Sequence, residues 1–231
     1  MYALKKYLAS SIGRKQQMGL TGIFLYFYLL IHLFGNIGML AGAERYNRYG
    51  YMLLHQMAEI IIPVEILLIL AFVVHVYLAL SLARENKKAR PQAYAVKKNS
   101  KASRHTAAMA MTGTAIALFV VIHIANFRYG SGGFSGMATV NYDGIEMHDL
   151  YGNMMRAFAQ WWYTLGYIAA LLLLYSHLSH GIQSSFQSLG LNNPKWSPIL
   201  AWGGRAYAIV VCGGFILLAV WAYFQHGGIP Q

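Results

Sequence analysis

"LTGIFLYFYLLIH" (Leu20–His32) and "MTGTAIALFVVIH" (Met111–His123) share one plan: Thr-Gly, nine mostly apolar residues, then a histidine. The copies stand ninety-one residues apart in the chain. Each run is apolar on all sides rather than on one stripe, which marks a helix buried in protein or in lipid. Each also ends on an imidazole, a group that needs a polar partner wherever water is excluded.

The composition decides between protein and lipid. The 231 residues are 57% hydrophobic and only 11% charged, against about 25% charged in soluble domains. Apolar runs of about 20 residues, enough to cross a bilayer core, occur at 18–40, 60–83, 107–127, 160–182 and 200–224. In lipid the backbone must satisfy its own hydrogen bonds, so these runs are predicted helices. They are too continuous for the alternating strands of a barrel. The first is expected to remain as a span: it is longer than the apolar core of a signal peptide, and His32-Leu-Phe-Gly-Asn36 follows it where small residues would mark cleavage. The expectation is an all-α, integral-membrane bundle of five transmembrane helices, with 1–231 as one domain.

Charge orients the bundle. The net charge is +11. Arg84, Lys87, Lys88, Arg90, Lys97, Lys98, Lys101 and Arg104 gather between the second and third runs, and Lys5, Lys6, Arg14 and Lys15 precede the first. The opposite connections hold Glu44, Asp143, Glu146 and Asp149. This asymmetry predicts a cytoplasmic N-terminus and an outer C-terminus. It accounts for the basic surplus by topology, with no call for nucleic acid. The single cysteine, Cys212, provides no iron–sulfur ligand set, and the covalent haem motif C-x-x-C-H is absent.

With that topology the histidines sort by depth. His32 and His123 come late in outward-running helices, and His75, His177 and His180 come late in inward-running ones. The ten-residue Gly-to-His interval of both cassettes, about 15 Å of helix, sets His32 and His123 level. Two imidazoles facing each other across a bundle can hold a haem iron from both sides. An outer pair and an inner pair therefore predict two non-covalent b haems. Either His177 or His180 suits the inner site. Gly22, Gly35, Gly38, Gly113, Ala79, Ala125 and Gly181 lie near the histidines, where a flat macrocycle needs room, although small residues also serve ordinary helix packing.

"SIGRKQQMGLTGIFLYFYLLIHLFGN" (Ser11–Asn36), His75, Thr112-Gly113 with His123, and "HLSHGIQSSFQSLG" (His177–Gly190) occur in this order along the chain. Together they resemble the cytochrome b membrane-anchor subunit of succinate:quinone oxidoreductases, the succinate dehydrogenase and fumarate reductase family, in its five-helix, two-haem form. In that family the fourth-helix ligand is followed by glycine at the fourth and thirteenth positions. Gly181 and Gly190 fit His177, which leaves His180 as the fallback. The resemblance implies an iron–sulfur subunit and an FAD-containing flavoprotein as partners, a quinone (menaquinone being the expectation) as electron donor or acceptor, and the bacterial cytoplasmic membrane as location. It implies an enzyme only as the membrane subunit of such a complex. The basic loops would face the cytoplasm and help dock the iron–sulfur subunit.

Glu59 and Glu65, at the outer end of the second run, are candidates for quinone proton exchange; acids also suit a helix N-terminus. Arg104 and His105 are candidates for an inner haem propionate, with helix entry the plainer account. Arg128 and Arg156 bracket the long outer connection. Two other readings compete: a two-haem anchor of another quinone-linked dehydrogenase, and a transporter using intramembrane histidines. A transporter would call for broken helices or a denser polar midplane.

Overall fold

The computed structural model describes residues 2–89, 101–128, 138–191 and 193–225, with side chains omitted at 101–108. Among the described residues the chain is all-α apart from one hairpin. Its helices are α1 (Tyr2–Ala9), α2 (Ser11–Ile37), α3 (Ala43–Tyr51), α4 (Ala58–Lys88), α5 (Lys101–Arg128), α6 (Leu150–Phe158), α7 (Trp161–Ser188) and α8 (Ser197–Gln225). Five of them, α2, α4, α5, α7 and α8, are long and apolar enough to cross a membrane. Their outward side chains include Phe27, Ile31 and Phe34 on α2 and Leu67, Leu70 and Val73 on α4, all well exposed. Apolar surface on this scale suits lipid and not water. The chain is a multi-pass membrane protein.

The helices overrun the apolar segments read from the sequence. α2 begins at Ser11 and so takes in Arg14, Lys15, Gln16 and Gln17; it continues as a 3-10 turn, Gly38–Ala41. Once a helix is nucleated, each further residue adds a hydrogen bond, so polar flanks join at little cost. α4 begins at Ala58, so Pro63 stands inside the helix, beyond its first turn. A proline there leaves the carbonyl one turn earlier without its usual amide donor.

The chain packs as two compact units. Unit 1 comprises Met1–Tyr28, Leu68–Ile116 and Leu173–Ala208. Close helix approaches hold it together. Tyr26 Oη donates to Leu178 O at 3.2 Å, and Tyr207 Oη donates to Tyr26 O. The Tyr26 and Tyr207 rings meet edge-on at 5.4 Å. Arg14 grips Glu85 with two guanidinium nitrogens, at 2.5 and 2.6 Å, and also reaches Ser81 Oγ at 3.0 Å.

Unit 2 comprises Leu29–Leu67, Ala117–Leu172 and Ile209–Gln231. Its core joins Met39, Tyr46, Met155, Ala157, Phe158, Tyr163, Tyr167, Ala219 and Ala222. The connection expected as an outer loop contains strands β1 (Thr139–Tyr142) and β2 (Ile145–His148), paired antiparallel with Tyr142 opposite Ile145. Asp143 and Gly144 form the two-residue turn with φ of 54° and 81°. An Asp-Gly pair with both residues at positive φ matches the twist of a tight hairpin. Asp149 then caps α6, accepting from Gly152 N at 2.9 Å, while the wholly buried Asn47 donates to Asp149 at 3.1 Å and accepts from Tyr151 N at 2.9 Å.

Gly181 allows Tyr26 to reach α7, since a Cβ at Gly181 would fall 1.9 Å from Tyr26 Oη. Gly181→Ala is expected to destabilise the detergent-solubilised chain by about 1–3 kcal/mol. Adding Tyr26→Phe should recover part of that loss. Thermal unfolding followed by circular dichroism checks both.

Candidate functional site

Each unit brings together one of the histidine pairs read from the sequence. In unit 1, His75 of α4 and His177 of α7 lie half-buried. Each rests on the Thr-Gly of a neighbouring cassette. His75 Nδ1 stands 3.1 Å from Thr21 Oγ1 and 3.2 Å from Met18 O. His177 Nδ1 stands 3.5 Å from Thr112 Oγ1. A Cβ at Gly22 would lie 3.4 Å from His75 Cε1, and one at Gly113 would lie 3.3 Å from His177 Cε1. Both rings therefore pack directly against helix backbone.

These contacts assign the His75 tautomer. A carbonyl can only accept, so Met18 O calls for a proton on Nδ1 and leaves the Nε2 lone pair available for a metal. The Thr21 hydroxyl spends its own proton on Gln17 O and Met18 O, at 2.9 and 3.0 Å, and so meets His75 as an acceptor. Thr112 follows the same pattern: its hydroxyl donates to Met109 O at 3.3 Å, which leaves oxygen lone pairs toward His177. His180 is exposed on α7. His177 is seated beside the second cassette, against Thr112 and Gly113.

In unit 2, His32 of α2 and His123 of α5 approach with ring centroids 5.8 Å apart and planes at 89°. Aromatic rings surround them: Phe215 is 5.5 Å from His32, and Phe119 and Phe127 are 5.8 and 5.4 Å from His123. His123 Nδ1 lies 3.3 Å from Tyr167 Oη. Asn36 Nδ2 donates to the His32 carbonyl at 2.8 Å and stands 3.5 Å from His32 Nδ1. Tyr46 Oη donates to Asn36 Oδ1 at 3.1 Å. Burial pushes the Tyr46 phenol above the ordinary tyrosine range, which keeps it a donor at every physiological pH.

The small residues divide unlike the expectation. Gly22 and Gly113 face the unit 1 histidines. Gly35, Gly38 and Gly181 face Tyr49, Tyr46 and Tyr26 instead, because helices carrying large phenols approach at those points. Glu65, half-buried, faces Arg128 in unit 2, with contacts of 3.3 and 3.4 Å; Glu59 is exposed in the first turn of α4. Arg156 reaches Asp149 at 3.4 Å. Arg104 and His105 fall within α5, but their side chains lie outside the described residues, as does the basic stretch 90–100. The sequence reading missed the supporting groups Thr21, Thr112, Asn36, Tyr163 and Tyr167. For the threonines a signal was present: the repeat includes them, at a fixed distance from each cassette histidine.

No family model, curated protein or solved structure matches the chain. The two imidazole pairs and their supporting groups carry the functional argument.

The Glu65–Arg128 pair is partly exposed on both sides, with side-chain accessibilities of 37% and 42%, so its contribution to stability is under about 1 kcal/mol. Glu65→Gln is expected to leave the melting temperature nearly unchanged. A thermal scan of the purified variant checks this, and makes any functional loss attributable to chemistry and not to folding.

Proposed function

We propose that this chain is the di-haem b membrane anchor of a succinate:quinone oxidoreductase. In this reading it passes electrons between a membrane quinone, menaquinone being the expectation, and iron–sulfur and FAD-containing subunits that interconvert succinate and fumarate. The observation that carries the reading is that His32 and His123 meet in one unit and His75 and His177 share the other, each imidazole drawn from a different long apolar helix.

The donor set fits a haem iron. Among the described residues no group of three or more His, Cys, Asp or Glu forms a metal cluster, and a lone pair of imidazoles suits trans ligation better than a tetrahedral metal site. His32 and His123, close neighbours in unit 2, would hold one such iron, and His75 and His177 of unit 1 the other. Haem bound by two imidazoles supplies one-electron transfer without exchange of its axial ligands.

The chain's own residues do the rest. His32, His123, His75 and His177 would ligate. Thr21 and Met18 hold His75 with Nε2 available, and Thr112 does the same for His177. Gly22 and Gly113 let those rings lie against their helices. Arg104 and His105, at the basic end of α5, are the candidates for a propionate. A quinone exchanges protons along with its electrons, and a carboxylate near the outer pair can give and take them. Glu65 shares unit 2 with His32 and His123 and is less exposed than Glu59, so it is the stronger candidate. The charge asymmetry of the sequence supports placing the basic connections at the cytoplasmic face of a bacterial inner membrane, where soluble subunits would dock.

Three measurements test the reading. A pyridine haemochrome assay is expected to find two b haems per chain; one or none rejects it. His177→Ala should lose one haem while His180→Ala keeps both, and the reverse pattern would exchange their roles. Glu65→Gln should depress quinone-linked turnover several-fold while sparing dicarboxylate chemistry with an artificial electron carrier. Unchanged quinone-linked turnover would remove Glu65 from the site.

A further inference from the structure

We infer that Tyr167 is a positioning residue for His123, its phenol oxygen taking the hydrogen bond from Nδ1 and thereby setting how strongly Nε2 donates to a bound iron. The inference rests on the two-haem reading and goes beyond it, since nothing in that reading calls for a phenol on α7.

The arrangement exceeds what packing requires. Tyr167 is buried, and its ring sits in a close aromatic cluster: stacked on Tyr163 at 4.7 Å and edge-on to Phe119 at 4.9 Å and Phe158 at 5.1 Å. A phenylalanine would make the same contacts. The hydroxyl instead brings a polar atom into an apolar region, which is costly unless it is satisfied. Its oxygen is met by a line of side chains that ends at the histidine. Asn126 Nδ2 donates to Tyr163 Oη at 3.0 Å, Tyr163 Oη donates to Tyr167 Oη at 3.0 Å, and Tyr167 Oη stands 3.3 Å from His123 Nδ1. Asn126 is held in turn, its carbonyl accepting from Asn153 Nδ2 at 3.4 Å. All of these residues belong to unit 2, and Asn126, Asn153, Tyr163 and Tyr167 are all buried.

The chemistry has a direction. When Nε2 binds a metal, Nδ1 must carry the proton, so Tyr167 acts as the acceptor. An acceptor at Nδ1–H raises the basicity of the ligand. A more basic imidazole favours the oxidised iron and lowers its potential. Tyr163 donates into the same oxygen and so weakens Tyr167 as an acceptor. Removing either hydroxyl should therefore move the potential, in opposite directions.

The test is a redox titration of the whole chain in detergent, the His32–His123 component being identified as the one missing in His123→Ala. Tyr167→Phe should shift that component to higher potential and leave the other in place. Tyr163→Phe should shift it lower. Opposite shifts support the inference, because loosened packing would move both variants the same way. Shifts of one sign, or an unmoved potential with both haems bound, overturn it. If Tyr167→Phe loses the component, Tyr167→Gln, which restores an acceptor, decides: recovery supports the inference and continued loss overturns it. Absence of haem from the unsubstituted chain would sink the proposed function itself, and this inference with it.

Discussion

A histidine within a membrane helix has two ring nitrogens to satisfy and no water to satisfy them. That constraint organises both units. A lone imidazole facing lipid would be expensive. An imidazole with Nδ1 engaged by protein has one nitrogen left, and that nitrogen is the one a metal takes. The protein engages Nδ1 of His75 and His177 by one means and Nδ1 of His123 by another, and each means determines which neighbours must be present.

In unit 1 the means is the repeated Thr-Gly, which explains why these two residues stand together. Adjacent positions on a helix are turned about 100° from each other, close enough for one ring to touch both. The threonine oxygen meets Nδ1, and the missing side chain at glycine lets the ring carbon close to 3.3–3.4 Å of where a Cβ would stand. The threonine can only accept because its hydroxyl proton is turned back to its own helix backbone, a bond that β-branched hydroxyl residues make readily in helix interiors. The cassette on α2 thus receives a histidine from α4, and the cassette on α5 receives one from α7. The repeat specifies two equivalent helix pairs, each the receptor for a neighbour's histidine.

Much of this was legible in the sequence, because it follows from period and depth. Five apolar runs of bilayer length named the five long helices, and equal Gly-to-His intervals paired His32 with His123. What could not be read were contacts made at long sequence separation. Thr21 meets His75 across 54 residues and Tyr167 meets His123 across 44, and no local pattern marks a phenol on one helix as the partner of an imidazole on another. Glycines were legible only as room, not as room for what: Gly181 accommodates Tyr26 and Gly35 accommodates Tyr49, as the rule that small residues mark close helix packing allows. The hairpin was missed although Asp143-Gly144 signals it, because two four-residue strands carry too little alternation to stand out beside the spans.

The two sites consequently depend on different parts of the chain. Among the described residues the unit 1 pair draws its support from the long helices, through Met18, Thr21 and Thr112. The unit 2 pair also draws on the folded connection. Asn36 is oriented by two bonds, Nδ2 to the His32 carbonyl and Oδ1 from Tyr46. Reversing the amide would set two carbonyl oxygens against each other at 2.8 Å. Tyr46 belongs to α3, which packs against α6 and β2. Asn153 of α6 reaches the Asn126 carbonyl and, through Tyr163 and Tyr167, His123. Both histidines of that pair are thus braced by elements outside the spans. A bundle of five apolar helices could in principle seat the unit 1 pair unaided, whereas seating the unit 2 pair in its observed geometry requires α3 and α6 to be folded as well.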